Sequence, residues 1–197
     1  MPSPPVHVLI VVGSQNRGSS TRALLQSIAG LLREAGAGVD LLDLPEEPLP
    51  LFDPDSSPRE SYYAGLKARV EKADVYLLGT PDYHGSISGV LKNFLDHFWP
   101  EFAGKLFASV VASYDKGLTV TDQLRTIARQ CYAWSLPYAV SFADKADVKD
   151  GQILTDSFRQ RVTMLARDLR VYGELLAKQR RQDLAGSEPG FLARYRS

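Results

Sequence analysis

The segment from Val6 to Val12 constrains this chain more than any other. It reads Val-His-Val-Leu-Ile-Val-Val, apolar and mostly β-branched with one interruption. A strand with one wet face alternates in polarity. A run that does not alternate has both faces covered, which predicts a central strand of a parallel sheet with helices above and below. His7 reads as a satisfied strand residue rather than a catalytic one. Val75–Leu78 and Lys105–Ala112 read as further strands, and all three runs end in polar loops that lead into helices.

In chain order, the first strand stops at Gly13. Helical spacing then follows through Leu24, Leu25, Ile28, Leu31 and Leu32, with Gly36 and Gly38 beyond its end. Val39–Leu44 is a second strand. The connection Pro45–Pro58 carries five prolines and few apolar residues, a length that suits a loop covering a site. A helix over Arg59–Lys72 places Tyr62, Tyr63, Leu66 and Val70 on one face, the tyrosines at core and rim. Beyond the third strand, Ser88 is positioned to cap a helix marked by Val90, Leu91, Phe94 and Phe98. Thr119 or Thr121 caps a helix running to Cys131, which falls on its apolar stripe as a buried, inert thiol. Pro137–Phe142 is the fifth strand, Ala143–Gly151 a charged connection, and Thr155–Gln179 the last helix. Phe158, Val162, Leu165, Leu169, Tyr172 and Leu176 form its stripe. From Arg180 onward the tail is basic and is either a solvated end or a docking arm for a partner.

Five strands alternating with five helices predict right-handed crossovers and a doubly wound α/β fold, in one domain spanning residues 1–197. For five parallel strands the order 2-1-3-4-5, that of flavodoxin-like folds, is the natural one, with helices on both faces. Its ligand crevice lies at the switch point between strands one and three. Lys plus Arg equals Asp plus Glu, 23 against 23, so no basic field is available for nucleic acid. One cysteine permits no intramolecular disulfide and offers no metal cluster. The start, Met1-Pro2-Ser3-Pro4-Pro5, lacks the features of a signal peptide, and no apolar run is long enough to span a membrane, so the expected location is cytoplasmic.

Two loops flank that switch point. Gly13–Thr21 contains two glycines, four hydroxyls (Ser14, Ser19, Ser20, Thr21) and Arg17 ahead of a helix N-terminus, a composition suited to a phosphate. It is neither a Walker loop nor a dinucleotide fingerprint. Thr80–Ser86 follows strand three: Pro81 stiffens it, Gly85 permits close approach of backbone, and the N–H groups from Asp82 to Ser86 are expected to point outward at a flat ligand.

These residues resemble the NAD(P)H-dependent FMN reductase family, which includes quinone, azo-compound and chromate reductases. Gly13, Ser14, Ser19 and Thr21 are in register with the family phosphate loop. The family's arginine position holds Asn16, with Arg17 beside it, so either one is a candidate for the phosphate. Pro81, Tyr83, Gly85, Ser86, Gly89, Leu91, Lys92, Asn93 and Asp96 match a second, longer signature. A third loop, glycine-rich in the family, is Ser113-Tyr114-Asp115-Lys116-Gly117 here. The resemblance implies FMN as cofactor and NADPH or NADH as hydride source. It places Ser14, Asn16, Arg17, Ser19, Ser20 and Thr21 at the phosphate, and Pro81, Asp82, Tyr83, His84, Gly85 and Ser86 around the isoalloxazine. Ser113 and Gly117 stand near its pyrimidine edge. It further implies a homodimer or homotetramer, with Lys92 and Asp96 pairing either across the interface or within their helix.

The implied reaction moves hydride from NAD(P)H to FMN, then electrons to a small-molecule acceptor such as a quinone, azo compound, free flavin or metal oxyanion. It demands no protein nucleophile, general acid or metal ligand, and none stands out. His84 is either a rim contact or proton donor, or solvent-facing. A flavodoxin-like electron carrier, or a flavin-binding sensor without turnover, is the alternative. Carriers tend to be acidic to dock basic partners, and this chain is balanced. No cationic cluster reserved for a nucleotide 2′-phosphate is legible in the sequence.

Overall fold

The computed structural model describes residues 4–16, 18–149 and 151–196. Four full parallel strands form the sheet: β1 (His7–Val12), β2 (Gly38–Asp43), β3 (Val75–Pro81) and β4 (Leu106–Ala112). Two short segments, β5 (Trp134–Ser135) and β6 (Val140–Phe142), both pair with β4. The order is β2-β1-β3-β4-β5. This is the flavodoxin-like arrangement expected from the strand count.

Burial explains why β1 does not alternate. Val8, Ile10 and Val12 join one core cluster, which also contains Leu24, Leu25 and Ile28 of α1 (Ser20–Glu34) and Phe158, Val162 and Leu165 of α5 (Asp156–Ala185). Leu9 and Val11 join the opposite cluster. There they meet Leu66 and Val70 of α2 (Ser61–Lys72), Leu91 and Phe94 of α3 (Gly89–Asp96), and Val120 and Leu124 of α4 (Leu118–Gln130). Both faces of the strand are dry, so period-two patterning has nothing to select.

Four expectations need correction. The fifth strand is not a continuous Pro137–Phe142 but two pieces with a gap at 136–139. Pro137 has no N–H for the ladder, and the carbonyls of Pro137, Ala139 and Ser141 turn to arginine side chains instead. Within Ala143–Gly151 the chain does more than connect. β7 (Val148–Lys149) pairs antiparallel with β8 (Gln152–Ile153), and Val148 is fully buried. Helix α4 is capped by Gly117 in the left-handed region (φ 59°) rather than by a threonine, while the Thr121 hydroxyl donates back to Gly117 O (2.9 Å). Helix α5 continues to Ala185, and a 3-10 helix at Phe191–Tyr195 then folds back onto the domain. Leu192 is 2% exposed, the Phe191 ring stacks on Tyr132 (6.4 Å), and the Arg194 guanidinium lies 5.0 Å over that same ring. The tail packs on its own chain.

Lys105 is buried just before β4. Its Nζ donates to Val70 O and Glu71 O (2.9 Å each) at the C-terminal end of α2, and lies 3.3 Å from the Tyr76 hydroxyl. Burial, reinforced by the Arg180 charge, lowers its pKa from 10.5 to about 7. Between those values the unfolded chain holds a proton here that the folded chain does not. Stability therefore rises with pH across this window, by up to about 1.4 kcal/mol per unit. Below pH 7 both states are protonated and the cost of burying the charge is fully present. Denaturant titrations of wild type and Lys105→Met from pH 7 to 10 should show wild type gaining on the variant as pH rises. A pH-independent difference would refute this.

Candidate active site

The carboxyl ends of β1, β3 and β4 are aligned by register, Val12 opposite Gly79 and Pro81 opposite Ala112. Three loops therefore leave the same edge of the sheet side by side, and they are hydrogen-bonded into one unit. Ser88 Oγ donates to Gly13 O (2.5 Å), joining the second loop to the first, while Ser113 Oγ donates to Asp82 Oδ2 (2.9 Å), joining the third to the second. Thr80 Oγ1 accepts from Ser88 N (3.0 Å), and Gln123 Oε1 accepts from both Ser86 Oγ (3.1 Å) and Ile87 N (3.0 Å). Thr80, Ser88 and Gln123 were not singled out as site residues in the sequence. Their contribution depends on partners that only the fold brings close.

In the first loop, Gly13 N donates to Gly79 O (2.8 Å), and a Cβ on Gly13 would sit 2.8 Å from that same oxygen. Glycine is what lets β1 turn out of the sheet here. Ser19 caps α1, its Oγ accepting from Arg22 N (3.2 Å), and Asn16 Oδ1 accepts from Gly18 N (3.0 Å). The Ser20 hydroxyl is bonded to Asp144, and Thr21 is buried in the first turn. Ser14 is 2% exposed, and its hydroxyl has no hydrogen-bond partner among the described residues. Arg17 lies outside the described residues. Behind the loop, Arg22 Nη2 donates to Asp43 Oδ1 (2.7 Å) and Nε lies 2.6 Å from Oδ2, a nearly buried bidentate pair.

The second loop differs from expectation. Tyr83 N and Ser86 N exchange bonds with each other's carbonyls (3.0 and 3.1 Å), Asp82 N donates to Ala112 O (2.8 Å), and Gly85 N donates to Asp82 Oδ1 (2.8 Å). Of the five N–H groups expected to point outward, that of His84 alone has no partner among the described residues. The reason is turn chemistry. His84 (φ 57°) and Gly85 (φ 76°) are both left-handed, the signature of a type I′ turn, which closes the hydrogen bonds on itself. What the turn presents outward is the Tyr83 side chain, 49% exposed, beside Pro81. In the third loop Gly117 N is likewise taken, by Asp115 O (2.7 Å), so it is not a free donor. Among the described residues the N–H groups of Leu118, Thr119 and Val120 at the start of α4 are open donors, as are those of Tyr114 and Lys116 in the loop itself.

Other expectations resolve locally. Lys92 pairs with Asp96 within α3 (2.5 Å). The Pro-rich connection is pinned to α3, where Asn93 Oδ1 accepts from Phe52 N and Asn93 Nδ2 donates to Pro50 O (2.8 Å each). The buried His97 ring lies between Asn93 O (2.7 Å) and the Tyr62 hydroxyl (3.0 Å). Cys131 is buried, which pushes its thiol pKa up.

A nearly buried hydroxyl without a partner, the further hydroxyls of Ser19 and Thr21, and a helix N-terminus make a donor set that fits a phosphate monoester. The expected Ser20 hydroxyl is not a free donor, because its hydrogen is given to Asp144. The half-exposed Tyr83 of the neighbouring loop fits a flat ring. The sequence model of the NADPH-dependent FMN reductase family matches residues 6–147. The chain belongs to that family. Its members fall in the class of FMN-dependent NAD(P)H oxidoreductases, in agreement with the resemblance read from the loops. An FMN-dependent NADPH-azoreductase of Staphylococcus haemolyticus is 31% identical over 158 residues, covering 75% of this chain and 84% of that protein. A protein of the same description from Staphylococcus saprophyticus is 45% identical over 94 residues, 45% of this chain and 50% of its own length. Among solved structures, a flavoenzyme NAD(P)H:(acceptor) oxidoreductase from Paracoccus denitrificans has the same fold. It superposes with a TM-score of 0.69 at 20% identity, covering 88% of this chain and 98% of that one. No helix among the described residues is long and apolar enough to cross a membrane.

Proposed function

We propose that this chain is a cytoplasmic NAD(P)H-dependent oxidoreductase, one flavodoxin-like domain that binds FMN and reduces small azo compounds or quinones. The observation that carries the reading is the unpartnered Ser14 hydroxyl, set just beyond the end of the central strand in the loop that leads to α1. Ser14, Asn16, Ser19 and Thr21 hold the FMN phosphate, Ser20 adding its backbone N–H because its hydroxyl is given to Asp144, with Arg17 assigned from sequence alone. The α1 dipole and hydroxyl donors favour the dianion. Pro81–Ser86 forms the wall for the isoalloxazine: Tyr83 supplies an aromatic face, and Asp82, fixed by Gly85 N and Ser113 Oγ, locks the turn so that little is reordered on binding. His84 N–H is the donor left for a ring heteroatom. The third loop, from Ser113 to Gly117, places the first N–H groups of α4 at the opposite ring edge, where they favour negative charge. When bound, FMN supplies the hydride-accepting and electron-transferring chemistry. The exposed Trp99 ring, outside both loops, supports assembly into a homodimer or homotetramer.

The azo acceptor is favoured by the description of the staphylococcal relatives. The test is the visible spectrum of FMN-loaded, desalted protein under anaerobic conditions. A retained flavin band that bleaches with NADPH and returns on adding an azo dye is the expected result. A retained band that NADPH leaves unchanged would favour a carrier or sensor instead. Loss of all flavin on desalting would overturn the loop assignments.

A further inference from the structure

The sequence showed no cation cluster for a nucleotide phosphate, but the fold assembles one. A cavity of about 530 Å3 shares the wall 113–118 with the third loop, and lies within the size range of small-ligand sites, roughly 300–1,000 Å3. Three cations reach it from three separate elements: Lys116 from the loop, Arg125 from α4 and Arg161 from α5. Both arginines are oriented by the break in the edge strand. Arg125 Nη2 donates to Pro137 O (2.7 Å), and Arg161 Nη2 and Nη1 lie 3.4 and 3.5 Å from Ala139 O and Ser141 O. A guanidinium has five N–H donors, so these contacts aim each group and leave donors unspent. Lys116 makes no ion pair among the described residues. The opposing carboxylates are Asp122, 3.4 Å from Arg125 and solvent-exposed, and Asp147, whose Oδ2 is committed to Ala143 N (2.9 Å). At the lip stands Tyr114, 88% exposed, a large ring that packs on little of its own chain.

We propose that this cavity receives the adenosine 2′-phosphate end of NADPH, with Lys116, Arg125 and Arg161 binding the 2′-phosphate and the Tyr114 ring stacking on adenine. The proposal rests on the reading that NAD(P)H is oxidised at the neighbouring loops. Guanidinium forks match phosphate oxygens in pairs, and a partly enclosed site strengthens each bond. Stacking on a tyrosine needs only the π-face of the base. The third loop is also where this chain departs from the glycine-rich pattern of the family. Its bulky Tyr114 and charged Lys116 thus become specificity determinants rather than defects in the flavin shelf.

The probe is adenosine 2′,5′-bisphosphate against adenosine 5′-monophosphate, titrated calorimetrically into FMN-loaded protein. The bisphosphate should bind about tenfold more tightly in wild type. Lys116→Asn should erase most of that preference while leaving the monophosphate affinity in place, and Lys116→Arg should restore it. Asn tolerates the left-handed backbone at this position (φ 56°), so the variant keeps the loop. Arg161→Ala should act in the same direction. Equal affinity for the two nucleotides in wild type, or an undiminished preference in Lys116→Asn, overturns the subsite. Either result alongside intact NADPH oxidation leaves the proposed function standing. A bisphosphate preference without NADPH oxidation would instead overturn the function and keep the subsite.

Discussion

Asp43→Ala is expected to destabilise the fold by about 3–5 kcal/mol, the range for removing one partner of a buried ion pair. Asp43 ends β2, and its carboxylate grips the Arg22 guanidinium in two places (2.7 and 2.6 Å) with both side chains close to fully buried. Arg22 lies in the first turn of α1, a poor place for a cation because the helix dipole is positive there. Its charge is tolerated because Asp43 neutralises it. For a chain of this size the loss corresponds to a fall in Tm of roughly 6–20 °C. Thermal melts of Asp43→Ala and Arg22→Met/Asp43→Leu separate the causes. The double variant removes both charges and replaces them with apolar volume, so it should recover most of the loss. If the double variant melts as low as Asp43→Ala, what matters at this site is packing or another partner, not the stranded charge. The pair also joins the strand beside β1 to the turn that carries the Ser19 cap. Weaker flavin retention in Asp43→Ala than in the double variant is therefore expected as well.

The sequence carried the sheet because it depends on local signals. Val6–Val12 is apolar on both faces, so a doubly covered strand followed. Gly13, Ser14 and Ser19 stand at fixed spacing before a helix, and the loop they form does lead from β1 into α1 with Ser19 as its cap. Legibility stopped where a residue's role is set by a distant partner. Nothing near Asp82 indicates that its two carboxylate oxygens are taken by Gly85 N and by a serine from the next loop. Outward-pointing N–H groups were therefore expected where a type I′ turn consumes them. His84 does not announce a left-handed conformation as glycine does, and the turn needs both residues. The edge strand shows the same limit. Val140–Phe142 was recognisable, but the gap before it depends on Arg125 and Arg161, which lie on two different helices. The cation cluster around Lys116 follows from that same gap and was invisible for the same reason.

Of the two glycines of the first loop, only Gly13 should respond to an added methyl group. At Gly13 a Cβ would lie 2.8 Å from Gly79 O and 2.9 Å from Leu91 Cβ, and neither can move far. Gly79 is in β3 and Leu91 is fully buried in α3. Relief requires the first loop to rise from the sheet, which breaks the bonds of Gly13 N to Gly79 O and Ser88 Oγ to Gly13 O. Gly13→Ala should therefore cost about 1–3 kcal/mol, the usual range for overpacking a close-packed site. Its larger effect should be on the cofactor. The proposed phosphate donors Ser14 and Ser19 follow this turn, and misplacing two or three charge-assisted bonds should weaken FMN retention by about a hundredfold. At Gly18 the nearest atom to an added Cβ is Asn16 Oδ1 at 3.7 Å, an ordinary contact, so Gly18→Ala should melt and retain flavin like wild type. Fluorescence titration of FMN into both variants, with melts of each, decides the matter. Equal behaviour of the two variants would mean that the turn at Gly13 does not set the phosphate donors. A deficit confined to Gly13→Ala would tie the flavin site to a single close approach between β1 and β3.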